Sequence, residues 1–312
     1  MSEVFVLDPI CDEAVAALAA HTRVVVPPQS RETSWIGRAA AVIIRTAVID
    51  ADAIAAAVPV LKVIGKHGSG VDTIDVKAAH RHGVTVVYTP EANAVSVAEH
   101  TLGLALAAAR RIPLADAGLR AGVPLTAAQR IGTELSGKTI GIVGFGAIGR
   151  RVAALFRAAF GGPQIVYDPG VPADVFAQAG VARAETLAEL LAAADLVTVH
   201  VPLVPATCGL IGAAELAVMK TEAILINAAR GGVVDEAALH AALASGRLAA
   251  AASDVFVTEP PPADHPLLAL PSFVATPHIG GTTREAMIRM GRDVAAGVLN
   301  VLEGRSPRYK IG

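Results

Sequence analysis

Three short stretches of the chain carry side chains able to do chemistry. AILINAARGG sets Arg230 just after an apolar run, ASDVFVTEP sets Asp254 and Glu259 after the next, and FVATPHIGGTT sets His278 after the last. An arginine fork can clamp a carboxylate through two hydrogen bonds, and a histidine held by a glutamate can give or take a proton near neutral pH. That is equipment for a 2-keto acid. His278 alone would prove little, because the chain has nine histidines and most cannot be catalytic. Its partners give it weight. The other eight, His21, His67, His80, His82, His100, His200, His240 and His265, are read as surface or supporting residues. Cys11 and Cys208 are isolated, with no Cys/His cluster at ligand spacing, so they are read as small core residues and no metal site is expected.

A fourth stretch, TIGIVGFGAIGRRVA, speaks of a cofactor. An apolar run leads into Gly144-x-Gly146-x-x-Gly149 and straight into a helical pattern, the context that makes this motif specific for a dinucleotide. Gly144 permits the tight turn, Gly146 lets the backbone approach a pyrophosphate, and Gly149 lets helix and strand pack closely. The helix start supplies N–H donors for the phosphates. Asp168 ends the next apolar run, 19 residues beyond Gly149. A carboxylate there accepts the ribose hydroxyls of the adenosine and repels a 2′-phosphate, so NAD is expected over NADP.

These groups need a frame that brings strand ends together. The runs VFVL, RVVVP, AVIIR, LKVIG and VTVVY, separated by alanine-rich segments of helical length, predict a parallel sheet. A longer helix, about 96 to 111, follows, with Ser96 and Glu99 in capping-box positions. A stretch holding Pro113, Gly118, Gly122 and Pro124 shows no clear period and reads as a loop at a domain or subunit contact. A second series, TIGIVG, QIVYD, DLVTVH, AILINAA, ASDVF and FVATPH, predicts six strands of a doubly wound sheet. Arg230, Asp254, Glu259 and His278 would then share its carboxyl edge, where such folds bind ligands.

At 312 residues the chain is long enough for two domains, each with its own core. A net charge of −2, from 26 Lys+Arg against 28 Asp+Glu, offers no reason to expect nucleic acid or an anionic membrane, so the expected partner is a small molecule. The hydrophobic fraction, 53%, is rich in alanine, and its runs break well before the roughly 18 residues a membrane span needs. The acidic start, MSEVFVLDPICDEA, does not read as a secretory signal, and the cytoplasm is the expected compartment.

The segments GKHGSGVDTID, NAVSVAEHTLGLALA, GFGAIGR, HVPLVPATCGLI, INAARGGVVDEAAL, DVFVTEPPP and TPHIGG together resemble the D-isomer-specific 2-hydroxyacid dehydrogenase family, over residues 41 to 284. The resemblance implies Arg230, Glu259 and His278 as the catalytic trio. It implies a Rossmann NAD-binding domain, 98–283, inserted into a flavodoxin-like substrate-binding domain, 1–97 with 284–312. Both would be α/β with doubly wound parallel sheets. By the same resemblance Ala147 and Ile148 meet the pyrophosphate, Asp168 the ribose, and Ala228 and Asp254 the nicotinamide end. Gly280 and Gly281 join the cofactor contacts, and the backbone of Ser69 and Gly70 meets the substrate carboxylate. Arg45 and Lys66 match basic positions that phosphoglycerate-specific members use for the distal phosphate. A hydroxypyruvate or glyoxylate reductase is the alternative.

The usual family assembly, a homodimer through the 96–111 helix, is expected too. Formate dehydrogenases share the fold but carry glutamine where this chain has Glu259, which counts against them. NAD-sensing corepressors keep the trio but add long tails; only RSPRYKIG follows the last helix here, so the enzyme is expected. Val123-Pro124 stands where family members often have tryptophan, a departure that bears on substrate preference.

Overall fold

The computed structural model describes residues 2–311. The first series of apolar runs forms β1 (Glu3–Val6), β2 (Arg23–Val25), β3 (Ala39–Ile44), β4 (Val63–Lys66) and β5 (Thr85–Val87). The second forms β6 (Ile140–Val143), β7 (Gln164–Tyr167), β8 (Ala182–Arg183), β9 (Leu196–Val199), β10 (Ile224–Asn227), β11 (Ala250–Ser253) and β12 (Phe273–Ala275). A helix, Arg284–Leu302, and β13 (Lys310–Ile311) end the chain. Two compact units result, Met1–Ala94 with Gly281–Gly312, and Val95–Gly280.

In the first unit the strand order is β13-β5-β4-β3-β1-β2, parallel except for β13, which runs antiparallel to β5. Alternate side chains go to opposite faces. Val42, Ile44 and Ile64 enter one core, where the side chain of Trp35 packs from the rim, while Ala41, Ile43 and Val63 enter the other with Val294 and Val298 of the last helix. In the second unit the order is β12-β11-β10-β9-β6-β7-β8, all parallel. Ile224 and Ile226 join Ile142 and Leu196 on one face, and Leu225 joins Val197 on the other. The chain reverses direction across the sheet between β6 and β9, the crevice where doubly wound folds take their ligands.

Three sequence expectations are corrected. The long helix spans Ala94–Ala109, so Ser96 lies inside it, 4% exposed, and does not cap it. The stretch read as an unstructured loop contains the helices Ile112–Arg120 and Ala127–Arg130. Pro113 sits in the first turn of the former, where its missing N–H is not needed, and that helix buries none of its residues, so no apolar period was required of it. Cys208 is exposed in a turn and is no core residue. Among the described residues no helix is long and apolar enough to cross a membrane, and no group of three potential ligands is placed to hold a metal.

Candidate active site

Register does the first part of the positioning in the second unit. Asn227 pairs with Ser253, and Ser253 with Ala275, so β10, β11 and β12 end level and the next residues of each emerge at one edge. Asn227 then shapes the turn that carries Arg230: its Oδ1 accepts from Ala229 N at 3.1 Å and its Nδ2 donates to the Arg230 carbonyl at 3.1 Å. Arg230 Nη1 donates to the Ala229 carbonyl at 2.6 Å, which fixes one side of the guanidinium.

Glu259 and His278 are brought together. Nδ1 of His278 lies 2.7 Å from Oε2 of Glu259, and Oε1 of the same carboxylate accepts from Phe256 N at 3.0 Å. Burial pushes the Glu259 carboxyl up, but the hydrogen bonds from His278 and Phe256 N outweigh it and hold the group below its ordinary value. With Nδ1 committed to Glu259, Nε2 is the ring atom left to exchange a proton. The His278 backbone takes a left-handed conformation, φ 54°, and its N–H donates to the Asp254 carbonyl at 2.8 Å and the Thr276 carbonyl at 3.1 Å.

Asp254 is 3% exposed and anchors that turn. Its carboxylate accepts from Thr276 Oγ1 at 2.6 Å, Ile279 N at 2.9 Å and Gly280 N at 2.8 Å. His100 joins it, with Nε2 2.9 Å from Thr276 Oγ1 and 3.3 Å from Asp254 Oδ1. Burial raises the Asp254 carboxyl and these donors, His100 first, lower it by more, so the group stays ionised. The sequence offered no signal for His100: it lies on a helix 154 residues before Asp254, and only the fold makes them neighbours. A Cβ on Gly280 would meet Asp254 Oδ2 at 2.9 Å, so the carboxylate takes the space a side chain would need.

The glycine loop follows β6. Gly144 has φ 93°, and a Cβ there would stand 2.7 Å from the His200 carbonyl after β9; a Cβ on Gly149 would reach within 2.1 Å of the Gly144 carbonyl. Both positions demand glycine. At Gly146, which precedes the helix Ala147–Phe160, a Cβ would meet nothing within 4 Å, so backbone there is open to a ligand. Ala147 and Ile148 supply the first N–H groups of that helix. Asp168 follows β7 and accepts from Phe145 N at 2.7 Å on Oδ2 and Gly170 N at 2.9 Å on Oδ1. Each oxygen keeps lone pairs for a hydroxyl, so the residues present fit an adenosine ribose and pyrophosphate. Ala228, 8% exposed, lies in the turn after β10.

In the first unit Asp8, after β1, organises the turn after β3. Its Oδ2 accepts from Arg45 N, Thr46 N and Ala47 N at 2.7, 2.9 and 3.1 Å. Arg45 Nη2 donates to Thr282 Oγ1 at 2.6 Å. Lys66 does not stand beside it as a second open cation: it is 6% exposed, and Nζ donates to the Arg45 carbonyl at 2.6 Å and Thr73 Oγ1 at 2.8 Å. β4 lies between β3 and β5, and an ammonium ending there satisfies its donors inward. Ser69 and Gly70 are half-buried in the following loop, which is pinned by Gly68 N donating to Thr89 Oγ1 at 3.1 Å. Gly281 packs in this unit, with Asn93 Nδ2 2.8 Å from where its Cβ would be.

Residues 102–280 match the family model described as "D-isomer specific 2-hydroxyacid dehydrogenase, NAD binding domain". The chain belongs to that family. It is 48% identical over 244 residues to a D-3-phosphoglycerate dehydrogenase of Methanocaldococcus jannaschii, covering 78% of this chain and 46% of that protein. The chain spans about half the length of the curated relatives it matches. Among solved structures, the TT0316 protein of Thermus thermophilus is similar with a TM-score of 0.87 at 35% identity, covering 99% of this chain and 100% of that one. An NADPH-dependent glyoxylate/hydroxypyruvate reductase of Sinorhizobium meliloti, with bound NADP and malonate, gives 0.86 at 26%, covering 100% and 97%.

Proposed function

We propose that the chain is an NAD-dependent D-2-hydroxyacid dehydrogenase that interconverts a 2-hydroxy acid and its 2-keto acid. The observation that carries this reading is the 2.7 Å Glu259–His278 pair on the sheet edge that also presents Arg230. Arg230 would bind the substrate carboxylate through its guanidinium, and its positive charge would meet the charge that develops on the C2 oxygen. His278 would hold the proton at Nε2 and deliver it to that oxygen, with Glu259 fixing the ring. The nicotinamide, when bound, supplies the hydride that C2 receives. Residues 98–283 would hold the cofactor, and 1–97 with 284–312 the substrate.

Asp168 supports NAD as the partner. With its carboxylate replaced, the negative charge of residue 168 no longer repels a 2′-phosphate, so Asp168→Ala is expected to lose most of the preference for NADH over NADPH. Equal kcat/KM for the two cofactors in the unmodified protein would contradict this.

For the substrate, relatives named for 3-phosphoglycerate support a phosphorylated acid. Lys66, buried with Nζ donating to the Arg45 carbonyl and Thr73 Oγ1, gives less support to a second phosphate contact, which supports the second reading, hydroxypyruvate or glyoxylate. Arg45 decides between them. If it holds a phosphate, Arg45→Ala raises KM for 3-phosphohydroxypyruvate by roughly ten- to hundredfold and leaves glyoxylate nearly unchanged. An initial-rate panel of the three keto acids with NADH tests both statements. If the two responses are alike, the phosphate reading fails. A homodimer is proposed as well, supported by Leu119, Val123 and Ile131, which are 84%, 62% and 70% exposed. Light scattering on the purified chain measures it.

A further inference from the structure

Glu236 and His265 belong to no part of the site described so far. Glu236 is the first residue of the helix Glu236–Ala244, whose start is already capped by Asp235, Oδ1 accepting from Ala238 N at 2.9 Å. The Glu236 carboxylate reaches elsewhere. Its Oε1 accepts from Val257 N at 2.8 Å, and its Oε2 lies 3.1 Å from His265 Nε2. Both side chains are largely buried, 23% and 14% exposed. The His265 ring stands edge-on to Phe256 at 5.4 Å, and Phe256 stands edge-on to Phe273 of β12 at 6.2 Å. His265 Nδ1 is buried with no partner, so the tautomer with its proton on Nε2, facing Glu236, leaves no buried N–H unpaired.

Two consecutive N–H groups of one turn therefore go to two different carboxylates. Phe256 N holds Glu259, which holds His278; Val257 N is held by Glu236, which His265 orients. We infer that Glu236, oriented by His265, is a positioning residue that fixes the Phe256–Glu259 turn so that Glu259 stays within reach of His278. The inference deepens the proposed function and rests on it for its kinetic arm. The turn is irregular and lies beyond the last ladder bond of β11, so side chains must hold what the sheet does not.

The test compares Glu236→Ala with Glu236→Gln, whose amide oxygen still accepts from Val257 N. Because a misplacement of about 1 Å can cost about a hundredfold, Glu236→Ala should lower kcat by roughly ten- to a hundredfold. KM for the keto acid and the Kd for NADH should stay within about threefold, and Glu236→Gln should keep kcat within about threefold of wild type. A second readout needs no turnover. The Glu259 carboxyl, followed by carbon NMR, should titrate higher in Glu236→Ala, as the bond from Phe256 N loosens, and not in Glu236→Gln. A Glu236→Ala protein that keeps more than half its kcat, an unmoved Glu259 titration, or a Glu236→Gln protein as impaired as the alanine variant would each overturn the assignment. Should Glu236→Ala not fold, His265→Gln leaves the helix start intact and should show the same two changes at smaller size; neither change appearing overturns it equally. If wild type turns over no 2-keto acid, the functional reading falls, and the Glu259 titration still decides the clamp.

Discussion

His278→Asn is expected to lower kcat by roughly two to four orders of magnitude while NADH binds with little change, the effect of losing a general acid. Asparagine suits the experiment because the backbone at 278 is left-handed, φ 54°, a region that asparagine tolerates better than most side chains. The turn held by Asp254 should therefore survive, and the loss would report on proton transfer alone. Steady-state kinetics with a solvent isotope effect, to show that chemistry limits the rate, provides the measurement. Retention of more than a third of kcat under those conditions removes His278 from the role.

Gly231→Ala is expected to be nearly as damaging although it removes no functional group. A Cβ there would lie 2.0 Å from the Phe256 carbonyl oxygen and 2.5 Å from Val257 N, backbone atoms that cannot rotate away. The Phe256–Val257 segment must retreat by roughly 1 Å, and with it the N–H that holds Glu259, while Arg230 shifts on the other side. A fall in kcat/KM of about a hundredfold follows, with NADH affinity less affected because the glycine loop after β6 is untouched. A variant within tenfold of wild type would show that the two turns move more freely than their contact suggests.

The parts of the site that follow from one stretch of chain were legible in the sequence. Gly144, Gly149 and Asp168 announce themselves because a strand, a turn without Cβ atoms and a helix must follow one another within thirty or so residues. Arg230, Asp254 and His278 could be set on one edge because parallel strands of similar length end level. What the sequence concealed depends on meetings between distant segments. His100 meets Asp254 across the fold, Glu236 and His265 converge on a turn neither belongs to, and Lys66 turns inward because the Arg45 carbonyl is there to receive it. Local rules also failed where they were applied too closely. Ser96 and Glu99 have capping spacing but sit inside the helix, and the prolines and glycines of 113–124 mask helices built from alanine and leucine. β8 and β13, two residues each, are too short for any period to show.

Trp35 is the chain's single tryptophan, and it packs at the rim of a core in the first unit. Its emission thus reports on the packing of that unit. Far-ultraviolet circular dichroism, by contrast, averages over every helix in both. In a denaturant titration the two signals coincide only if the whole chain melts in one cooperative transition. Separate midpoints would mean that each core holds itself up.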